Sequence, residues 1–493
     1  MKLLKILSII LLCVLIFSAC ASNGNSANKE TTANNTENDP SETTTGRIEP
    51  DLPAMNFNGA VYRVLGREVP AYPQFSNFEI SVESMNGEIV NDAVYERNSR
   101  LEERYNCVIE QAVFEDTAIN LTKSVLAGDD LYSLAFIKMI DAGPLAANGN
   151  FYDLYSLKYL DFSKPWWRQD VNKAVSVEGR LYYTTGDFNM IEKQRTYIMM
   201  YNKDMAKDFE LGTFYDFVYD NTWTVEKMLG LATAVSDDID GDGVMTDKDR
   251  WGIGLDSGNA FFTFVNGLDN FIVTKDNKDV PLLTINNDHT ISSVDKVLSL
   301  LNDKSISYYC EQFSGKVTYD YWYTSTYMFY DGNLLFLVGF PHGLKDISAN
   351  SEVDYGVLPF PKYDEKQAQY IATPDPVGVL MLTIPSSAKD VDFASFMLEA
   401  ICASSKYDVM PKYYEDSSKT KYMYDEQSPL MFDLIFSGLR YDLGTMYNWG
   451  DMKGIFYAIS TGGTNNFVSK YTAVEEKAFT QMEATLEAFR ELP

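Results

Sequence analysis

From residue 58 onward, the chain alternates between short apolar runs and stretches in which apolar residues recur at helical spacing. Residues 61–65 form a largely apolar run that ends at Gly66. Apolar side chains then recur four or seven positions apart between residues 90 and 105, and residues 107–109 resume an extended pattern. Extended apolar runs are typical of strands, and spacings of three, four and seven are typical of helices. The pattern therefore predicts a strand, a helix and a second strand in succession.

The same alternation continues to the C-terminus. Apolar runs bounded by glycine, proline or turn residues predict further strands. These runs are residues 131–137, 181–183, 197–201, 334–338 and 377–384. Between residues 479 and 489, apolar side chains three and four apart predict an amphipathic C-terminal helix. Strands that alternate with helices are typical of an α/β protein with largely parallel sheets, which is the fold class that we predict.

The first twenty residues have the composition of a secretion signal. Lys2 and Lys5 precede an apolar run over residues 6–17, which has the length of a signal-peptide core and is too short to cross a bilayer permanently. The small residues directly before Cys20 resemble the lipobox of bacterial lipoproteins, in which this cysteine carries the lipid. We therefore predict a lipoprotein signal peptide over residues 1–20 and lipidation at Cys20, with an ordinary secretory signal cut nearby as the alternative.

A polar segment follows the signal. Residues 21–53 contain almost no apolar side chain, so burial cannot offset the entropy lost on ordering them. We interpret this segment as a disordered tether that holds the folded body, residues 54–493, at the outer face of the cell membrane. No later stretch approaches eighteen uninterrupted apolar residues, so we predict no membrane-spanning helix there.

Composition excludes several classes of function. Lys and Arg number 41 against 70 Asp and Glu, and a formal charge of −29 repels DNA and RNA, so we expect no nucleic-acid partner. His289 and His342 are the two histidines of the chain, which is too few for a histidine-rich zinc site. Cys107, Cys310 and Cys402 are odd in number and widely spaced, which favours small buried hydrophobes over a disulfide framework.

An aspartate-rich loop over residues 238–249 has the spacing of a calcium-binding loop. Oxygen donors stand at positions 1, 3, 5, 7, 9 and 12, and a glycine stands at position 6. The predicted ligands are Asp238, Asp240, Asp242, the carbonyl of Val244, Thr246 and Asp249. Because the loop can fill a ligand shell from itself, we predict a structural calcium ion rather than a catalytic one. A solvated acidic turn is the alternative.

Several segments, taken in order, resemble one protein family. They include counterparts of its Gly-Lys-Leu-Tyr turn, its Tyr-Asn-Lys-Asp segment and its Thr-Trp-Asp helix start. The segments are residues 131–137, 145–154, 178–182, 201–205, 221–224, 249–252, 329–333 and 355–361. In order and spacing they are similar to the extracellular solute-binding proteins of family 1, the carbohydrate receptors of ABC importers.

The resemblance implies a two-lobed, periplasmic-binding-protein-like fold of type II, with a hinge of several chain crossings and lobes that are discontinuous in sequence. It also implies a monomeric, non-enzymatic receptor that binds a sugar or oligosaccharide in the interlobe cleft and delivers it to ABC transporter permease subunits. The composition agrees, because flat aromatic side chains together with a few carboxylates or amides suit the apolar faces and polar edges of sugars.

Four tryptophans are candidates for contact with the ligand. Trp166 and Trp167 are adjacent and lie in a polar stretch, so we expect at least one of them to face solvent or the ligand. Trp322 and Trp449 lie near predicted loops, where cleft residues are concentrated.

Two further residues complete the predicted ligand site. Asp187 follows the predicted strand at residues 181–183, and its carboxylate can accept hydrogen bonds from sugar hydroxyls. Phe340 follows the predicted strand at residues 334–338, where maltose receptors, by resemblance, carry a stacking aromatic residue.

Two other functions remain open from the sequence. A surface glycoside hydrolase also needs acidic pairs and aromatic residues. A receptor for a non-sugar solute, such as a peptide, is the second alternative.

Overall fold

The computed structural model describes residues 46–256, 258–317, 320–413 and 425–492. The predicted signal peptide, Cys20 and most of the predicted tether lie outside these residues. Residues 46–53, the described end of that tether, contain neither helix nor strand. From Glu49 onward the chain is one compact unit. Among the described helices, none combines the length and the apolar character that a membrane crossing needs.

The described residues form strands and helices in alternation. The strands are β1 (Ala60–Arg67), β2 (Cys107–Phe114), β3 (Leu134–Lys138), β4 (Ile198–Asn202), β5 (Trp251–Leu255), β6 (Val273–Lys275), β7 (Pro281–Leu283), β8 (Ser307–Tyr309), β9 (Leu334–Gly339), β10 (Tyr355–Leu358) and β11 (Leu380–Thr383). The helices are α1 (Ile89–Tyr105), α2 (Thr117–Ala127), α3 (Met139–Ala147), α4 (Gln169–Val175), α5 (Ile191–Gln194), α6 (Lys203–Asp208), α7 (Phe214–Tyr219), α8 (Val225–Val235), α9 (Gly258–Gly267), α10 (Asp288–Leu301), α11 (Thr324–Tyr330), α12 (Leu344–Asn350), α13 (Val391–Ser404), α14 (Met410–Tyr413), α15 (Ser428–Ser437), α16 (Leu443–Tyr447), α17 (Met452–Gly462) and α18 (Phe467–Glu491).

The predicted strand, helix and strand at the start of the body are confirmed as β1, α1 and β2. Tyr62, Val64 and Leu65 of β1 are fully buried, which is why the apolar run signals the strand so clearly. The helix ends at Asn106, whose left-handed conformation (φ 48°) lets its amide donate to the carbonyl of Glu102.

Two mixed sheets form the core. The first sheet has the strand order β11-β3-β1-β2, and the second has the order β10-β4-β9-β5-β8. Pairs within βαβ connections are parallel, such as β1 with β2 and β3. β11 is antiparallel to β3, and β4 is antiparallel to β9 and β10. The prediction of largely parallel sheets is therefore only half right, because β4 and β11 enter their sheets directly after the chain has passed from the other sheet.

One predicted strand does not exist. Residues 181–183 join neither sheet, and only Thr184 forms an isolated bridge, to Leu382. The backbone of Leu181 is satisfied elsewhere: its amide donates to a carboxylate oxygen of Asp153 at 2.9 Å and its carbonyl accepts from the amide of Leu154 at 2.6 Å. A buried loop of apolar residues therefore has the same sequence pattern as a strand.

Three chain segments run side by side where the chain passes between the two sheets. They are residues 195–197, 372–375 and 438–440. The first and second segments are joined by backbone hydrogen bonds of 2.8 and 3.1 Å, and the second and third by bonds of 2.9 and 3.0 Å. The predicted hinge of several chain crossings is confirmed in these three segments.

The C-terminal helices connect the two halves of the body. α16 packs on α3 beside the first sheet, while α17 packs on α9 beside the second. The predicted C-terminal helix is confirmed as part of α18, and Met482, Leu486 and Phe489 face the core. Phe479 was expected on the same apolar face, but its side chain is 55% exposed.

Candidate functional site

A cleft of about 450 Å³ lies between residues of the two sheets. On one side it is lined by the loop after β1, including Gln74, and by Val377, three positions before β11 begins. On the other side it is lined by the carboxyl ends of β5 and β9 and by α11. Two of the three hinge segments, residues 195–197 and 372–375, contribute its floor through Arg195 and Asp375. A ligand in this cleft would touch both halves of the body.

Aromatic rings and carboxylates dominate the lining. The aromatic residues are Tyr72, Phe75, Tyr197, Trp322, Tyr323, Tyr330 and Phe340. The acidic residues are Asp256, Asp320, Asp346 and Asp375. This combination offers flat apolar faces and hydrogen-bond acceptors together, which is the chemistry that recognises a pyranose ring.

Arg195 occupies the centre of the cleft floor between two rings. Its guanidinium carbon lies 4.2 Å from the ring centre of Phe75 and 4.0 Å from that of Phe340. The guanidinium also forms an ion pair with Asp375, in which Nε donates to Oδ2 at 3.1 Å, and both side chains are 6% exposed. The positive charge of Arg195 is therefore already neutralised, and its stacking connects a ring beside the first sheet to a ring beside the second.

His342 is held neutral beside this ion pair. Its Nδ1 lies 3.5 Å from Nη1 of Arg195. Burial, and then the positive charge of Arg195, lower the pKa of His342 to about 3. The imidazole is therefore uncharged at physiological pH and adds no charge to the cleft.

Asp256 stands at the carboxyl end of β5 and caps α9. Its Oδ1 accepts hydrogen bonds from the amides of Asn259 at 2.9 Å and Ala260 at 3.1 Å. Burial raises the pKa of this carboxyl group to about 6 despite those two bonds. Asp256 therefore presents a weakly solvated carboxylate to the cleft at neutral pH, which is suited to accepting hydrogen bonds from ligand hydroxyls.

Comparisons with known proteins give a consistent answer at the level of the fold. No protein-family model matches the chain, and no curated protein matches its sequence. Solved structures do match. An ABC substrate-binding protein from Listeria monocytogenes in complex with cycloalternan is 13% identical, with a TM-score of 0.53 over 86% of this chain and 98% of that one. The chain has the two-lobed fold of ABC-transporter solute-binding proteins.

Two further structures support the same fold. A cyclo/maltodextrin-binding protein complexed with maltotetraose is 14% identical, with a TM-score of 0.56 over 86% of this chain and 97% of that one. A sugar transporter protein from Rhizobium etli in an open conformation is 15% identical, with a TM-score of 0.55 over 88% of this chain and all of that one. The predicted fold class is confirmed. The first sheet forms the core of lobe 1, the second that of lobe 2, and the cleft lies between the lobes.

The two-lobed fold brings only Trp322 and Phe340 of the six predicted ligand residues to the cleft. Trp322 belongs to a short helical turn before α11 and is 50% exposed. Phe340 directly follows β9, and the centre of its ring lies 4.4 Å from the ring centre of Tyr197. Whether these two rings contact a ligand stays a prediction.

The prediction that Trp166 or Trp167 faces solvent or a ligand is wrong. Both are buried in lobe 1, at 1% and 4% exposure. Their indole Nε1 atoms donate to the two carboxylate oxygens of Glu399, at 3.1 and 2.9 Å. Adjacent side chains were expected to point in different directions, but the irregular backbone here lets both rings converge on one buried acceptor.

Trp449 and Asp187 also lie away from the cleft. Trp449 is 3% exposed, stacks on Tyr447 at 4.6 Å and donates from Nε1 to the hydroxyl of Thr485 at 3.0 Å. Asp187 forms an ion pair with Lys406 at 3.4 Å in lobe 1. Trp449 therefore packs α18 against the turn before α17, and Asp187 forms a local ion pair.

Sequence reasoning missed most of the cleft. Tyr72, Phe75, Arg195 and Asp375 were not singled out, although each lies in the lining. One signal was available: Phe75 follows the first predicted strand, and ligand clefts in α/β folds lie beyond the carboxyl ends of strands. Arg195 and Asp375 carry no local signal, because they meet only across the hinge.

The aspartate-rich loop follows α8 and leads into β5. Oxygens of Asp238, Asp240 and Asp242 lie within 4.8 Å of one another, so three of the six predicted ligands converge. Asp249 is different, because its carboxylate accepts hydrogen bonds from the amides of Ile239 at 2.9 Å and Thr246 at 2.7 Å. The donor set of the first three positions fits a hard divalent cation.

Proposed function

We propose that the protein is an extracellular, lipid-anchored, monomeric receptor that binds a sugar or oligosaccharide in the interlobe cleft and delivers it to the permease subunits of an ABC importer. The composition of the cleft carries this proposal: seven aromatic rings and four carboxylates line a space that both lobes enclose. Similar folds support it, since related structures contain cycloalternan and maltotetraose.

The hinge explains how binding would be reported to an importer. Phe75 comes from lobe 1 and Phe340 from lobe 2, and both contact Arg195 between them. A solute that touches both walls favours the closed arrangement over the open one, and only such differential contact can shift the equilibrium. Small-angle scattering with a bound saccharide is therefore expected to give a smaller radius of gyration than without it.

A glycoside hydrolase is the competing function. Such an enzyme needs a pair of carboxyl groups, one of which is an acid with a raised pKa. Asp256 has a raised pKa, but the neighbouring Asp375 is held by Arg195. A glycan panel incubated with purified protein separates the functions: release of reducing ends contradicts the receptor proposal, whereas ligand-dependent melting without turnover supports it.

Replacing Trp322 with alanine is expected to weaken saccharide binding by on the order of 1–3 kcal/mol, because a half-exposed indole at the cleft supplies a stacking face. A thermal-shift screen of mono- and oligosaccharides identifies the probe, and calorimetry measures its Kd. Phe479→Ala is the matched control, since Phe479 is similarly exposed but lies on α18 away from the cleft. Equal affinity in the Trp322 variant and the control would contradict the assignment of the cleft.

We also propose that the loop at residues 238–249 binds a structural calcium ion. A ligand that binds only the folded state stabilises it by about 2.7 kcal/mol at a hundredfold excess over Kd. Calcium is therefore expected to raise the melting temperature, and Asp240→Ala is expected to abolish that rise. Asp247→Ala removes one charge from the same loop at a position that is not a predicted ligand, and it is expected to keep the rise. No calcium effect in the unmodified protein would remove the assignment.

A further inference from the structure

Helix α11 presents a face of tyrosine side chains at the rim of the cleft. Tyr323 precedes the helix, Tyr327 follows four positions later and Tyr330 three positions after that, so all three share one face. Tyr323 is 38% exposed and Tyr327 is 40% exposed. The opposite face of α11 is buried through residues 328–329. Tyr330 packs partly against the core of lobe 2, whereas Tyr323 and Tyr327 leave more than a third of their surface exposed to solvent.

The three rings follow one another at short range. The ring centres of Tyr323 and Tyr327 are 6.4 Å apart, and those of Tyr327 and Tyr330 are 5.9 Å apart. Tyr323 and Tyr330 line the cleft, whereas Tyr327 is outside the lining. The face thus continues the aromatic surface of the cleft outward along its rim.

The surroundings of this face resemble the cleft rather than a protein-binding patch. Trp322 is half exposed next to Tyr323, and Tyr72 of lobe 1 lies opposite, with its hydroxyl 3.5 Å from a carboxylate oxygen of Asp320. Exposed aromatic residues that are adjacent in space mark a binding surface, and carboxylates between them add acceptors for hydroxyl groups. The same chemistry therefore extends from the enclosed space to the exposed rim.

We propose that the tyrosine face of α11 is an outer platform on which a saccharide chain continues beyond the cleft. The solute is then a chain of pyranose units too long for the cleft of about 450 Å³ to enclose, with some units held between the lobes and others stacked on the rim at Tyr327. This inference rests on the proposed function. It adds a ligand class, the longer oligosaccharides, and a positioning surface for them.

The test measures how the Kd depends on ligand length, both in the unmodified protein and in variants of Tyr327. Malto-, cello- and xylo-oligosaccharides from disaccharide to heptasaccharide are titrated calorimetrically into the full chain. The Kd is expected to fall with length within the series that binds. Tyr327→Ala is expected to raise the Kd of the heptasaccharide on the order of five- to tenfold and to leave the Kd of the disaccharide unchanged, because only the longer chain reaches the rim. Tyr327→Phe keeps the ring and is expected to retain most of the affinity for the heptasaccharide.

Controls separate this inference from the proposed function. Tyr219→Ala removes a tyrosine that is 53% exposed on α7 and is expected to change no affinity, and melting curves confirm that each variant folds. An affinity independent of length, or equal weakening of short and long ligands by Tyr327→Ala, would overturn the outer platform and leave the receptor proposal standing. If no series binds at any length, the result counts against both the receptor proposal and the outer platform. If the protein is a dimer that dissociates on Tyr327→Ala, the rim binds a second copy of the chain and the outer platform is overturned.

Discussion

Replacing Asp375 with alanine is expected to lower the free energy of unfolding by about 3–5 kcal/mol, the usual cost of leaving one member of a buried ion pair without its partner. Asp375 and Arg195 are both only 6% exposed, and the guanidinium lies between the rings of Phe75 and Phe340, so water replaces the lost carboxylate poorly. Asp375 also accepts a hydrogen bond from the amide of Val377 at 3.0 Å, which the substitution removes. Chemical denaturation measures the difference.

Two companion variants define the origin of that loss. Asp375→Asn keeps an acceptor oxygen in place and removes only the charge, so it is expected to cost less than alanine. The double variant Arg195→Met with Asp375→Ala removes both charges, and it is expected to lose clearly less than the sum of the single variants, because each single change leaves an unpaired buried charge. Strict additivity, or a cost below about 1 kcal/mol for Asp375→Ala, would contradict the role given to this pair.

The stability of lobe 1 is expected to fall as the pH rises from about 4.5 to above 7, because of Glu399. Its carboxylate accepts hydrogen bonds from Trp166, Trp167 and the amide of Asp161, and all three donors are neutral. Burial raises the pKa of Glu399 from 4.5 to about 7. Because the folded state holds the proton more tightly than the unfolded state, the stabilisation is fully present below pH 4.5 and is lost through pH 7, with a total of about 3 kcal/mol.

Glu399→Gln isolates this contribution from those of other acidic groups. The variant cannot ionise at this position, so its free energy of unfolding is expected to change less between about pH 5 and about pH 8 than that of the unmodified protein. Glu476→Gln, an exposed position on α18, is the control and is expected to keep the full pH dependence. Identical pH profiles for the Glu399 variant and the unmodified protein would refute the assignment.

Local periodicity predicted the elements that bury one continuous face. β1, α1, β2 and α18 were predicted because each contributes apolar residues to the core at regular spacing. The segment at residues 181–183 misled the same reasoning. Its apolar side chains are buried too, and periodicity does not reveal whether the backbone pairs with a strand or with the side chain of Asp153.

The cleft was less accessible to sequence reasoning than the fold. Trp322 and Phe340 were found because each adjoins a predicted strand or loop. Arg195 and Asp375 are 180 positions apart, and only the meeting of two hinge segments makes them partners. The pair Trp166 and Trp167 was misplaced because the acceptor that buries both, on α13, is more than two hundred positions away. Polar residues that pair over such distances in the sequence produce no local pattern from which the pairing could be predicted.

The placement of β11 has a consequence for the order in which the body can assemble during synthesis. All five strands of the second sheet lie between residues 198 and 358, so lobe 2 has its complete sheet before β11 exists. Lobe 1 begins earlier, yet the outer edge of β3 stays open until residues 380–383 have been added. A nascent chain therefore completes the sheet of lobe 2 before the sheet of lobe 1. Lobe 1 carries an exposed strand edge in the meantime, which is the kind of surface that chaperones and aggregation both target.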